Sequence, residues 1–138
     1  MVGVPALTFN VTHKYVNSSS GIEVPVTVSA DTHRSVAFVA KVDTGAECCI
    51  FQREYADELE LSMEDGERKR FATATGALET RGYLVTLSSL GYDFESLVFF
   101  AVEEGLPRNV LGLQGWLEKF RIGLVHYDRS IYFSHYDE

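Results

Sequence analysis

A chain of 138 residues, 46% hydrophobic and 23% charged, is long enough for one globular core, and it holds no apolar run near the ~20 residues of a membrane helix. Its net charge of −8 argues against a nucleic-acid partner, because phosphate contacts need clustered Lys and Arg. The two cysteines, the neighbours Cys48 and Cys49, offer no metal-ligand spacing and no unstrained disulfide with each other. No basic stretch followed by an apolar core follows Met1, so no secretory signal is expected. Free thiols in a reducing compartment, the cytoplasm, are the expectation, with no cofactor and no metal.

Residues 1–20 predict an edge strand at Leu7-Thr8-Phe9-Asn10-Val11 and a Ser-rich loop at Asn17-Ser18-Ser19-Ser20-Gly21, belonging to the same domain as residues 21–138. From Ile22 to Ala30 apolar and polar residues alternate, with Ile22, Val24, Val26 and Val28 on one face. A turn at Asp31-Thr32-His33-Arg34 leads to a partner strand over Ser35–Val42, and this hairpin delivers Asp43. Asp43-Thr44-Gly45-Ala46 interrupts two apolar segments. A turn alone would explain Asp and Gly there. A carboxyl at the end of a buried strand, however, is costly without a use, and the sharper reading is catalysis.

Phe51 to Met63 changes period, with Tyr55, Ala56 and Leu59 on one side and acids on the other, which predicts a short helix. Arg68-Lys69-Arg70 reads as a solvated surface segment. Strands over 68–74 and 78–87 flank Thr75-Gly76-Ala77 and predict a β-hairpin. Tyr92 to Val102 predicts a strand whose centre, Leu97 to Val102, is buried on both faces. After a loop, Asn109-Val110-Leu111-Gly112 is a short buried strand, and Trp116, Leu117 and Phe120 suggest a helix over 114–120. A last hairpin pairs 121–127 with 130–134 and turns at Asp128-Arg129.

Taken in order, the strand into Asp43-Thr44-Gly45-Ala46, the apolar exit, the hairpin tip at Thr75-Gly76-Ala77, and Asn109-Val110-Leu111-Gly112 before a helix-like segment resemble the aspartic proteases. The likeness is to the single-domain retroviral (retropepsin-like) type, across residues 22–134. Asp-Thr-Gly alone is a weak signal, whereas the ordered set in a chain of this length is specific. The resemblance implies a mainly β, single-domain, closed β-barrel-like acid protease fold with one or two short helices and a flap hairpin. It implies an aspartic endopeptidase in which a water between two carboxyls attacks the peptide carbonyl.

Asp43 is then the catalytic carboxyl, Thr44 a hydrogen-bonding residue across the dimer axis, and Gly45 the residue leaving room for substrate beside it. Ala46, Glu47, Thr75, Gly76 and Ala77 fall to substrate binding. Only one Asp-Thr-Gly is encoded, so the second carboxyl has to come from another copy. The expected partners are a second copy in a homodimer and a peptide or protein substrate, with no nucleic acid and no membrane. Three features depart from the retroviral pattern: Leu113 stands where an Arg usually follows the Gly, the flap tip lacks Ile-Gly-Gly, and the chain continues through a hairpin at 128–138. The alternative is a non-catalytic dimeric scaffold or peptide-binding module on the same fold. A β domain unrelated to proteases is the least favoured.

Overall fold

The computed structural model describes residues 3–138. Its ten strands form two sheets. Strands β2 (Glu23–Ser29) and β3 (Ser35–Val42) pair antiparallel in the register Val24↔Ala40, Val26↔Phe38 and Val28↔Val36. That register puts Val24, Val26, Val28 and Ala40 into the core, as the period-2 alternation requires. The link between them turns at His33, which adopts a positive φ of 65°. Strand β4 (Ile50–Phe51) leads into α1 (Arg53–Glu58), the one α-helix among the described residues, whose Ala56, together with Leu59 just beyond, is fully buried.

Strand β5 (Glu67–Thr73) pairs with the long β6 (Gly76–Ser89), which pairs in turn with β7 (Tyr92–Ala101). The sheet order is β2-β3-β8-β4-β7-β6-β5, where β8 is Val110–Leu111, and β2 also pairs with β6. That last pairing closes the sheet into a barrel and leaves β5 outside the ring, attached to β6 alone. The closed β architecture expected from the sequence is the one observed.

A smaller sheet, in the order β1-β10-β9, joins β1 (Val11–Lys14), β9 (Phe120–Val125) and β10 (Ser130–His135). Trp116, Phe120 and Phe133 weld it to the barrel, with ring centroids 4.8 Å apart for Trp116–Phe120 and 5.7 Å for Phe120–Phe133. Tyr92 and Phe94 of β7 meet Phe120 edge-on from the barrel side.

Four local expectations need correction. The N-terminal edge strand runs over Val11–Lys14, where β10 offers main-chain partners, rather than over Leu7–Val11. Segment 114–120 is not an α-helix: Gly115 at φ +98° interrupts it, one 3-10 turn spans Leu117–Lys119, and Phe120 is already in a strand. Trp116 and Phe120 are nevertheless both buried, so the helical spacing marked core residues but not a helix. In β7, Leu97 faces outward at 40% exposure while Val98, Phe99 and Phe100 are buried. Lys69 is not simply solvated, as the site shows.

Candidate active site

Strand β3 ends at Val42, and Asp43 follows in a short loop held by main-chain bonds. The Asp43 N–H donates to the Leu111 carbonyl at 3.0 Å, and the Ala46 N–H donates back to the Asp43 carbonyl at 3.2 Å. The Gly45 N–H donates to Asp43 Oδ1 at 2.9 Å, so the loop's own backbone orients the carboxylate. A side chain on Gly45 would begin 3.2 Å from that oxygen, crowding it. Gly45 has no positive φ among the strained positions, so its value here is space beside the carboxylate rather than backbone freedom. Asp43 is half-buried, whereas Thr44 and Gly45 are exposed at the apex.

The strand behind the loop fixes its depth. Leu113 N–H donates to the Ala46 carbonyl and Gln114 N–H to the Glu47 carbonyl, both at 2.9 Å. Gly112 lies against this ladder so closely that a Cβ would sit 2.3 Å from the Cys48 carbonyl oxygen and 2.8 Å from that of Ala46. Only glycine fits there, and the apolar-apolar-Gly element thus backs the Asp43 loop. Cys48 and Cys49 next along are buried and free. Burial pushes both thiols up, Cys49 to about 12, which keeps them as neutral packing groups rather than nucleophiles.

Thr75 lies in the two-residue turn Ala74-Thr75, and Gly76 opens β6 at φ +134°, a conformation that suits glycine. Thr73 pairs with Gly76, and its Oγ1 donates to the Gly76 carbonyl at 2.8 Å. Thr75, Gly76 and Ala77 are exposed at the tip of a projecting hairpin. Among the described residues no hydrogen bond joins this tip to the Asp43 loop. Hairpin and loop are connected lower down, where the Lys69 ammonium of β5 donates to Glu47 Oε1 at 3.0 Å.

The Lys69 contact was hidden in a basic run, although alternation along β5 offered the signal. Arg68 and Arg70 face outward, Arg70 pairing with Glu79 across the hairpin, while Lys69 turns to the other face. Glu47 thus finds its cation on β5, whereas the position after Gly112 is the uncharged Leu113.

A cavity of about 530 Å³ is lined by Cys48, Lys69, Leu84, Leu97 and Phe99. Asp43 does not line it. Among the described residues no three His, Cys, Asp or Glu side chains are grouped to hold a metal ion, and no helix is long and apolar enough to cross a membrane.

The sequence profile of the aspartyl protease family matches residues 24–114, which span β2 to just beyond β8 and include both the Asp43 loop and Gly112. The chain belongs to the aspartyl protease family. Its fold is the retropepsin-like one: it is similar to the solved structure of EIAV protease complexed with the inhibitor HBY-793, with a TM-score of 0.53 and 18% sequence identity, over 70% of this chain and 86% of that one. No curated protein matches the sequence. The part outside the matched profile, β9, β10 and the N-terminal β1, is the small sheet that Trp116 ties to the barrel.

Proposed function

We propose that this aspartyl protease is an endopeptidase whose active centre is shared by two copies of the chain in a homodimer, each contributing Asp43. The observation that carries the reading is the Asp43 loop: one carboxylate, oriented by the Gly45 N–H, beside an exposed apex of Thr44 and Gly45. An exposed apex is what a two-fold pairing of identical loops needs.

The mechanism follows from two carboxyls held close together. They cannot both ionise cheaply, so the pair shares one proton and titrates as a unit. The ionised Asp43 takes a proton from the water as its oxygen attacks the substrate carbonyl carbon. The protonated Asp43 of the other copy hydrogen-bonds the carbonyl oxygen as charge develops, and a proton then passes to the departing amide nitrogen. Thr44 locks the paired loops, Gly45 leaves room for substrate backbone, and Ala46 and Glu47 line the approach. The hairpin tip at Thr75, Gly76 and Ala77 closes over an extended peptide and excludes water. Substrates are unstructured peptide segments, because a folded chain cannot enter between two loops and two hairpins.

The test is cleavage of fluorescein-labelled casein by wild type and Asp43→Asn. Wild type should release label in a pepstatin-sensitive manner at acid to neutral pH, and the variant should lose at least about 10³-fold, in the upper range for removing an acid–base group. Cleavage that survives in Asp43→Asn, or a wild type with no pepstatin-sensitive cleavage, would overturn the reading.

A further inference from the structure

We propose that Lys69 and Glu47 form a tether that sets the height of the hairpin over the Asp43 loop, and that Lys69 is a positioning residue for substrate capture. The inference rests on the endopeptidase reading for its kinetic consequence but not for its structural one.

Strand β5 needs such a fixture. It lies outside the closed ring, bonded on one edge to β6 and, among the described residues, on the other to no strand. Among the described residues no hydrogen bond joins its tip to the Asp43 loop, so the distance between the two is set from the base of the hairpin, where it joins the barrel. Lys69 lies about 15 Å of strand below the tip, near that junction, where a small displacement is amplified at Thr75.

The geometry around Lys69 is built rather than incidental. Gly82 of β6 pairs with both Glu67 of β5 and Phe99 of β7. Lacking a side chain, Gly82 lets the Phe99 ring cross over it; a Cβ there would lie 2.6 Å from the ring. Phe99 thereby reaches Phe71 edge-on at 5.5 Å and lies 5.6 Å below the Lys69 ammonium, which also sits 5.2 Å from the Phe71 ring. Two aromatic faces thus hold the lysine in place, and its stem is three-tenths exposed. The buried Thr80 donates to the Lys69 carbonyl at 2.8 Å, pinning the main chain at the same level. The hydrogen bond to Glu47 in turn holds the Lys69 ammonium protonated to higher pH than usual.

At the other end, Glu47 is anchored through its backbone carbonyl to the Gln114 N–H in the ladder behind the Asp43 loop. Its side chain is 56% exposed, and an ion pair so open to water adds little to global stability. What it can do is bias the position of a hairpin that no other side-chain hydrogen bond among the described residues ties to the Asp43 loop, and a bias of a fewfold in the closed population appears directly in substrate affinity.

The test measures casein cleavage by Lys69→Met, Glu47→Gln, the double variant and Lys69→Arg. Each single variant should raise KM about fivefold with kcat within about twofold. The double variant should show the same fivefold rise rather than the product, because both substitutions remove one interaction. Lys69→Arg, which keeps the charge, should stay within about twofold of wild type. An unchanged KM in the singles overturns the proposal. So does a double variant that multiplies the two effects, the signature of Lys69 and Glu47 acting independently.

A second arm uses hydrogen exchange in the Asp43→Asn background, which needs no activity. Lys69→Met should speed amide exchange over 67–80 while leaving β2 and β3 unchanged, and unaltered exchange over 67–80 would refute the tether. If wild type cleaves nothing, the endopeptidase reading falls, and this arm still decides the tether.

Discussion

Gly112 and Cys48 meet backbone to backbone, with a glycine Cα under a carbonyl oxygen and 2.3 Å available where a Cβ would have to go. The obstacle is main chain of the loop that follows Asp43, so no rotamer change relieves it. Gly112→Ala should therefore destabilise the fold by roughly 3 kcal/mol, at the upper end for an inserted methyl, as read from the urea midpoint. It should also lower cleavage in whatever fraction still folds. A variant as stable as wild type would mean that β8 and the loop are not in the contact described.

Trp116 is the only tryptophan, fully buried and edge-on to Phe133 with centroids 5.5 Å apart. It stands where the small sheet joins the barrel. Trp116→Ala should cost about 3–5 kcal/mol, the range for deleting a buried aromatic side chain. Loss should come as one cooperative transition, detectable by far-UV circular dichroism against urea. A cost below about 1 kcal/mol would mean that the sheet of β1, β9 and β10 is not seated on the barrel.

The Cys49 thiol supplies a pH signature. Its ordinary value is 9.0, and burial raises it to about 12 in the fold. Between those values the unfolded chain gives up a proton that the folded chain keeps. Stability therefore falls as pH rises from 9 to 12 and owes nothing to this group below 9. Urea midpoints at pH 8 and pH 10.5 should drop more for wild type than for Cys49→Ala, and equal drops would contradict the burial. Thiol-reactive dyes should likewise label neither cysteine at pH 8 until denaturant is added.

Sequence patterns were legible where local rules and tertiary demand agree. The alternation of Val24, Val26 and Val28 against Val36 and Ala40 specified the hairpin that delivers Asp43, because one face is fully buried and a one-residue slip would invert it. Thr75-Gly76 marked the projecting hairpin because its turn needs the positive φ that Gly76 adopts. The misreadings share a different cause. Trp116 and Phe120 are both core residues four apart, a spacing that suits a helix equally well, and only the positive φ of Gly115 separates the cases. The N-terminal strand begins four residues later than its own alternation suggests because its register is dictated by β10, over a hundred residues away. Lys69 on β5 and Glu47 in the loop after Asp43 are 22 residues apart, so nothing local distinguishes that pair from any other surface charges.

The central claim is that every working active centre takes one Asp43 from each of two chains. Wild type and Asp43→Asn, denatured together in varying ratios and refolded at fixed total concentration, should cleave casein in proportion to the square of the wild-type fraction. An equal mixture should then retain about a quarter of full activity, because mixed pairs hold one carboxyl and do not turn over. Retention of about half, in linear proportion to the wild-type fraction, would mean that each chain works alone and would contradict the shared centre.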